Sequence, residues 1–461
     1  MTIPLPTLKV EIRLFLKIAI PMAAAYLAEY AMFITTKMVV GRLGYEQLAA
    51  VGIAGDLSFE ILVILMGLLS IIGVLAAQAE GAGNKSAVGQ SVRQGMLVAS
   101  MLAIPAMILV WNLELVLQAT RQDPVVIELA IPYLQGLCGF VLPVLWFSVL
   151  RSFVAALAQP LVVMVITVLA VFLNYLLTIW FVYGGLGIAA MGLFGAGLAT
   201  TIVSWMMFIC LTLYIFRKPD LRGYGIFKSN WRFDWPVCAE IMRLGIPVAA
   251  LVFLEAGLFV AASILSGVIG AKTLAAYEVV MAWAGIPFVI AFGMAEATMI
   301  LVAQAVGRKQ LRAVRRAGYL GMALGAGFLT LLVIVPLGLA DQIISIFITP
   351  DDPGFGEVSR LATQFLMIVA IFQVFDGLQA IASRALRGLK DSVIPLWMAG
   401  FGYWILGIGG GSLLAFRFKL GGAGLWWGLA IGLCVTASLL CWRFYRLSHR
   451  PLAVGTNSFG Q

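Results

Sequence analysis

The sequence predicts an all-α polytopic membrane protein with twelve transmembrane helices in two pseudo-symmetric six-helix bundles. Composition is the first observation behind this. The 461 residues are 62% hydrophobic and 11% charged, with a mean hydropathy of +1.04, and a soluble domain of that composition has too little polar surface to offer water. The second is that apolar runs long enough to cross a bilayer recur along the whole chain, whereas barrel strands would alternate over about ten residues. The third is an internal duplication.

Taken in order, residues 1–13 are a short polar lead carrying Lys9, Glu11 and Arg13. Six apolar runs follow, near 14–39, 48–75, 87–111, 125–149, 160–183 and 192–216. Residues 217–239 (RKPDLRGYGIFKSNWRFDWPVCA) are the longest polar interruption, and their basic residues with Trp231 and Trp235 suit a cytoplasmic, partly interfacial loop. Six more runs lie near 240–267, 274–300, 314–339, 360–386, 393–416 and 422–446. The expected organisation is an N-terminal lobe over 1–216, the linker over 217–239, a C-terminal lobe over 240–447 and a tail over 448–461. The first run is too long for a cleavable leader and reads as the first span.

The halves match at a constant offset of 226. Ile20-Pro21 meets Ile246-Pro247, Gly44 meets Gly270, and Leu48-Ala49-Ala50 meets Leu274-Ala275-Ala276. Gly67 meets Gly293, Ala77-Gln78-Ala79 meets Ala303-Gln304-Ala305, and Gly95-Met96 meets Gly321-Met322. Later echoes drift slightly, as in Asp123-Pro124 with Asp352-Pro353 and the GAGL at 195–198 with that at 422–425. An even number of spans per copy gives both copies one orientation, the arrangement of parallel-repeat transporters.

The net charge of +9 is better explained by topology than by an acidic partner. With the N-terminus in the cytoplasm, only Lys37, Arg42, Arg121, Lys272, Arg360, Arg417 and Lys419 of the 30 Lys and Arg fall outside. That asymmetry predicts both termini inside, in a bacterial inner (plasma) membrane, and makes nucleic acid a poor partner. The five cysteines are scattered through apolar segments without a CxxC pair and read as small hydrophobes. No GxxxxGK[ST] loop and no ATPase domain are evident, so pumping is expected to draw on an ion gradient or a partner. Close glycine spacings, such as Gly321/Gly325, Gly428/Gly432 and the run Gly409–Gly411, suit helices packed tightly in lipid.

Acids inside spans are costly and mark function by default. Glu255 lies in the middle of LGIPVAALVFLEAGLFVAASIL (244–265), and Asp376 near the middle of the tenth span. Both belong to the C-terminal half, and two neighbouring carboxylates titrate apart, so one can hold a proton or Na⁺. They are the candidate cation-coupling residues, and the metal ligands if the ion is Na⁺. Glu29 is the repeat partner of Glu255 and, with Asn174 as a polar neighbour, a candidate in the N-terminal half. Lys37 reads as snorkelling, Asp56 and Glu278 as solvated, and Arg384 and Arg387 as interfacial anchors. His449 is the only histidine and lies in the tail, so neither a metal cluster nor a catalytic relay is expected.

Four motifs carry a resemblance: GxLGxxxLAAV at 41–51, LRSF at 150–153, LNYxxxxxFVYG at 173–184, and FQxxDxxQ…LRGxKD at 372–391. Over about residues 12–447 the chain resembles multidrug and toxic compound extrusion (MATE) transporters of the bacterial NorM-like branch. The resemblance implies a twelve-helix, two-lobe fold and export of organic, often cationic and aromatic compounds against inflowing Na⁺ or H⁺. By position Glu255 and Asp376 match the family's C-lobe acids, while Phe372 falls where that branch often has Tyr. Where the family reads Asp-Thr in the first span, this chain has Thr36 and Lys37, and Thr178 replaces a common amide. Glu29, seven residues before Thr36, lies on nearly the same helical face. A cation or substrate site made of Glu29, Thr36 and Asn174 is therefore expected at a shifted depth.

The expected function is secondary active multidrug efflux by a monomer, with small organic cations, Na⁺ or H⁺ and the bilayer as partners and no cofactor. A flippase for a lipid-linked oligosaccharide or similar precursor is the alternative. It would want a cationic central cavity, whereas the mid-span charges here are mainly acids. An enzyme would need a nucleophile, metal cluster or His–Asp set at one depth, and none is evident.

Overall fold

The computed structural model describes residues 8–120, 122–185, 187, 189–227, 232–346 and 355–450. Arg121, Trp231, the Asp352-Pro353 echo and the tail from 451 lie outside the described residues. Among the described residues, twelve helices are long and apolar enough to cross a membrane. They are α1 (Leu8–Gly41), α2 (Tyr45–Gly81), α3 (Lys85–Trp111), α4 (Pro124–Ala156), α5 (Leu161–Tyr183), α6 (Gly192–Arg217), α7 (Trp235–Ile269), α8 (Ala271–Gly307), α9 (Leu311–Gly338), α10 (Phe355–Gly388), α11 (Val393–Arg417) and α12 (Gly421–Ser448). The predicted all-α, twelve-span architecture is what the chain adopts. In lipid a helix satisfies its own backbone groups, which is why apolarity and length sufficed to find each span.

Local signals set the ends. The Asn84 side chain accepts from Ala87 N at the start of α3, and Asp123 accepts from Val125 N ahead of Pro124 at the start of α4. Gly44 and Gly270, at φ +151° and +157°, turn the chain between α1 and α2 and between α7 and α8. They are partners in the 226-residue repeat, so the duplication is written in backbone torsions as well as in letters. Positive φ recurs likewise at Gly83 and Lys309, again 226 apart.

The described residues fall into two compact units, 24–245 and 246–450 together with 8–23. Two helices that share a proline through the repeat, α1 with Pro21 and α7 with Pro247, are divided between units close to that proline. In the second unit, the α1 lead packs so closely on α8 that a Cβ on Gly293 would lie 2.5 Å from Ala23 N. Arg316 adds an ion pair to Glu11 at 3.0 Å. In the first unit, the α7 lead meets α2, where a Cβ on Gly245 would lie 2.7 Å from Leu68 O. Gly293 is the repeat partner of Gly67, the residue before Leu68, so the two leads use equivalent docking positions.

Within each unit one helix sits deepest, α4 in the first and α10 in the second. Around α10, Trp426, Phe365, Phe372 and Tyr403 are almost fully buried. Since lipid is as apolar as leucine, close packing must hold such bundles together. α11 and α12 show how: a Cβ on Gly428 would lie 2.2 Å from Gly411 Cα, and one on Gly432 2.4 Å from Gly402 O. The facing part of α11, Phe401–Gly409, winds in wide π-type turns. Outward side chains such as Phe172, Leu176 and Val268 are exposed and apolar, as a lipid-facing surface requires.

Candidate ion and substrate sites

In the unit containing α8–α12, three helices meet at a polar cluster. α7 supplies Glu255, α10 supplies Asp376 and Gln379, and α11 supplies Tyr403. Gln379 follows Asp376 by one turn, so both point from the same face of α10. Gln379 Nε2 donates to Glu255 Oε1 at 2.7 Å, and Tyr403 OH donates to Gln379 Oε1 at 2.7 Å. Asp376 is 4% exposed and interacts electrostatically with Glu255 and Gln379. Among the described residues its Oδ1 is buried without a hydrogen-bond partner, and so is Gln373 Oε1 one turn earlier. Two carboxylates and a surplus of buried oxygen acceptors suit a hard monovalent cation or a proton.

The sequence-predicted pair Glu255 and Asp376 is thus brought into one cluster. Phe372 is buried, its ring 6.3 Å from that of Phe259 and 5.6 Å from that of Trp426, and it forms part of an apolar wall. A hydroxyl enters instead from Tyr403, which sequence reasoning missed. Gln379 was visible within the FQxxDxxQ motif, and its one-turn spacing from Asp376 was the available signal.

In the other unit two of the candidates, Glu29 and Thr36, line one pocket between α1, α2, α4 and α6, with about 710 Å³ of empty space including its opening to solvent, while the third, Asn174, is buried behind Thr36 and outside that lining. Glu29, Thr36, Tyr133, Phe33, Phe59, Phe140, Phe147 and Arg151 line it, with Met32, Met66 and Met207. Asn174 Nδ2 donates to Thr36 Oγ1 at 3.0 Å, and Thr200 Oγ1 donates to Asn174 Oδ1 at 3.4 Å. Both Asn174 and Thr36 are buried. Thr178 Oγ1, also buried, has no hydrogen-bond partner among the described residues.

Glu29 stands apart from that network in one respect: Arg151 Nη1 donates to its Oε1 at 2.5 Å. Arg151 is held in turn by the rings of Tyr26, 4.8 Å away, and Phe147, 6.0 Å away. The Glu29 charge therefore already has a counter-ion from α4. Arg151 was legible only as a letter of the LRSF motif, because its partner is 122 residues distant.

Several charges read differently in the structure. Lys37 pairs with Asp56 at 2.7 Å rather than merely snorkelling, whereas Asp56 and Glu278 are exposed, in keeping with their reading as solvated, with Glu278 accepting from Ser263. Arg384 and Arg387, read as interfacial anchors, are buried at 6% and 5% exposure. The Arg384 guanidinium lies 3.3 Å from the centre of the Phe292 ring, with Nε 3.5 Å from the buried Glu296. Proximity to a span end suggested anchoring; ring stacking and an acid on α8 hold the first of these arginines inside.

Comparison with known proteins bears on the family and the fold. A family model described as MatE matches residues 21–180 and 247–412, one stretch in each half. A protein of Mesorhizobium japonicum named "Probable multidrug resistance protein NorM" is 38% identical over 449 residues, covering 96% of each chain. One of the same name from Brucella suis is 36% identical over 442 residues, covering 95% of this chain and 94% of its own. In fold, the crystal structure of a eukaryotic MATE transporter matches with a TM-score of 0.85 at 23% identity, over 96% of this chain and 99% of that one. An outward-facing multidrug resistance MATE transporter matches with a TM-score of 0.86 at 20% identity, over 95% and 96%. By family model and near full-length relatives, this multi-pass membrane protein belongs to the MatE family, whose members are transporters rather than enzymes.

Proposed function

We propose that this chain is a secondary active multidrug efflux antiporter, exporting organic, often cationic and aromatic compounds in exchange for inflowing Na⁺ or H⁺. The relatives' name, multidrug resistance protein NorM, supports the efflux half of this reading. The single observation that carries the coupling half is the Glu255–Gln379–Tyr403 chain beside Asp376, whose Oδ1 is buried and has no hydrogen-bond partner among the described residues. Leaving a buried acceptor unmet costs about 1–3 kcal/mol, more for a charged group, and an ion that visits the site in each cycle removes that cost.

Expelling one monovalent cation against an inside-negative potential costs about 2.3 kcal/mol per 100 mV. Entry of one Na⁺ or H⁺ cancels the charge movement and leaves the chemical gradient as the drive. Coupling then requires only that ion and drug favour different conformations. For the drug we propose the pocket of Glu29, Thr36 and the Asn174 network. Aromatic and methionine walls adapt to flat apolar bodies, and Glu29 attracts cationic groups that displace Arg151 from it. The proposed setting is a bacterial inner membrane, with the monomer's termini and the 217–239 linker in the cytoplasm and no cofactor.

The experiment is flux of a fluorescent organic cation into liposomes containing the purified protein, under an imposed Na⁺ or H⁺ gradient. Wild type, Glu255→Gln and Asp376→Asn are compared. Gradient-dependent flux in wild type and its loss in both variants are expected; equal flux in all three would contradict the reading.

A further inference from the structure

The segment after α6 is seated on the start of α3 by a dense set of bonds. A Cβ on Gly89 would lie 2.0 Å from Tyr224 O, so only glycine admits the linker backbone there. Arg93 Nη1 donates to Gly225 O at 2.6 Å. Gln94 Nε2 donates to Arg232 O at 2.7 Å, and Asp234 N donates to Gln94 Oε1 at 3.1 Å. Gln90 donates from its amide to the Asp234 carboxylate. These bonds enclose a polar pocket of about 630 Å³, its opening included, with Gln90, Arg93, Arg232, Phe233, Asp234 and Trp235 on its wall. None of this serves the ion cluster or the aromatic pocket.

From this arrangement we infer that the pocket between α3 and the linker binds the phosphate headgroup of an anionic phospholipid of the adjoining leaflet. The charge arithmetic favours an anion. Asp234 accepts from Gln90 and sits just ahead of α7, where its carboxylate meets Val237 N at 3.4 Å and the positive end of the helix dipole. That leaves the Arg93 and Arg232 guanidinia facing the pocket. Arg232 is exposed, and its guanidinium makes no hydrogen bond or ion pair among the described residues.

A membrane lipid is favoured over a soluble anion by what stands at the rim. Phe233 and Trp235 are 49% and 69% exposed, their rings 5.9 Å apart. Paired exposed aromatics beside arginine are the composition of a membrane–water interface, where rings lie at headgroup level. Arginines at the cytoplasmic end of spans recognise anionic headgroups. The inference rests on the orientation proposed above only for which leaflet supplies the lipid.

The test is native mass spectrometry of the full-length protein equilibrated with equal amounts of phosphatidylglycerol and phosphatidylcholine in detergent. Wild type is expected to retain phosphatidylglycerol preferentially. Arg232→Gln is expected to cut that preference about fivefold, and Phe233→Ser with Trp235→Ser to reduce retention of the same lipid. Arg312→Gln, an exposed arginine in the other unit, serves as the control for bulk charge. An equal loss with Arg312→Gln, or none with Arg232→Gln, would overturn the inference. Displacement by inorganic phosphate with no dependence on the two aromatics would also overturn it, assigning the pocket to a soluble anion. Lipid retention is read without transport, and a reporter on the C-terminus tests orientation separately.

Discussion

Gln379 Nε2 lies 2.7 Å from Glu255 Oε1, so an amide on α10 tethers the one acid that α7 places at mid-span. The same amide is oriented by Tyr403 from α11. Three helices thus determine where the Glu255 carboxylate points, and Asp376 stands one turn from the tether. Helix movement that breaks this chain would change the proposed ion site directly, which would give the proposed coupling a physical handle.

Tyr403→Phe deletes the hydroxyl that orients Gln379 and leaves a buried carbonyl oxygen unsatisfied. The expected cost is about 1–3 kcal/mol, seen as a lower melting temperature in detergent. The ion concentration giving half-maximal transport should rise several-fold while maximal flux is retained. Unchanged values of both would remove Tyr403 from the site.

Arg151→Met strands Glu29 in a pocket where only 19% of its side chain is exposed. Breaking such a pair from one side costs about 3–5 kcal/mol, less here because Glu29 keeps some contact with water. Adding Glu29→Gln should restore most of the loss in a double-mutant cycle read by chemical or thermal denaturation. Additive losses would mean that the two residues are not energetically paired.

Glu29→Gln alone addresses the substrate proposal. Removing the pocket's carboxylate should weaken the apparent affinity for a cationic drug and leave that for an uncharged aromatic substrate nearly unaltered. Ion coupling should persist, because the proposed ion ligands lie in the other unit. Equal effects on charged and uncharged substrates would place drug recognition elsewhere.

Gly428→Ala tests the packing of α12 on α11. The new Cβ would fall 2.2 Å from backbone at Gly411, where no side chain can move aside. Overpacking of this kind costs about 1–3 kcal/mol and should lower the melting temperature. Gly327→Ala, where a Cβ meets nothing within 4 Å, should not.

The spans were legible because lipid imposes a length and an apolarity on every helix, and the duplication because glycines and prolines carry backbone requirements. Glu255 and Asp376 stood out because an acid in oil needs a reason. Tyr403 did not, since a tyrosine in an apolar span has many unremarkable explanations. The Glu29–Arg151 pair and the stacking of Arg384 on Phe292 were invisible for a different cause: they join helices remote in sequence, and hydropathy records no tertiary partner. The same holds for the α1 and α7 leads, whose unit is decided by close backbone approach at Gly293 and Gly245.

The central claim is that Glu255 and Asp376 bind the coupling ion. The most direct measurement is uptake of a fluorescent organic cation into proteoliposomes with an imposed Na⁺ or H⁺ gradient, comparing wild type with folded Glu255→Gln and Asp376→Asn. The account predicts gradient-dependent uptake in wild type, reduced at least about tenfold in each variant, a loss of 1.4 kcal/mol or more in ion-driven transport. Full gradient-driven uptake in both variants would contradict it.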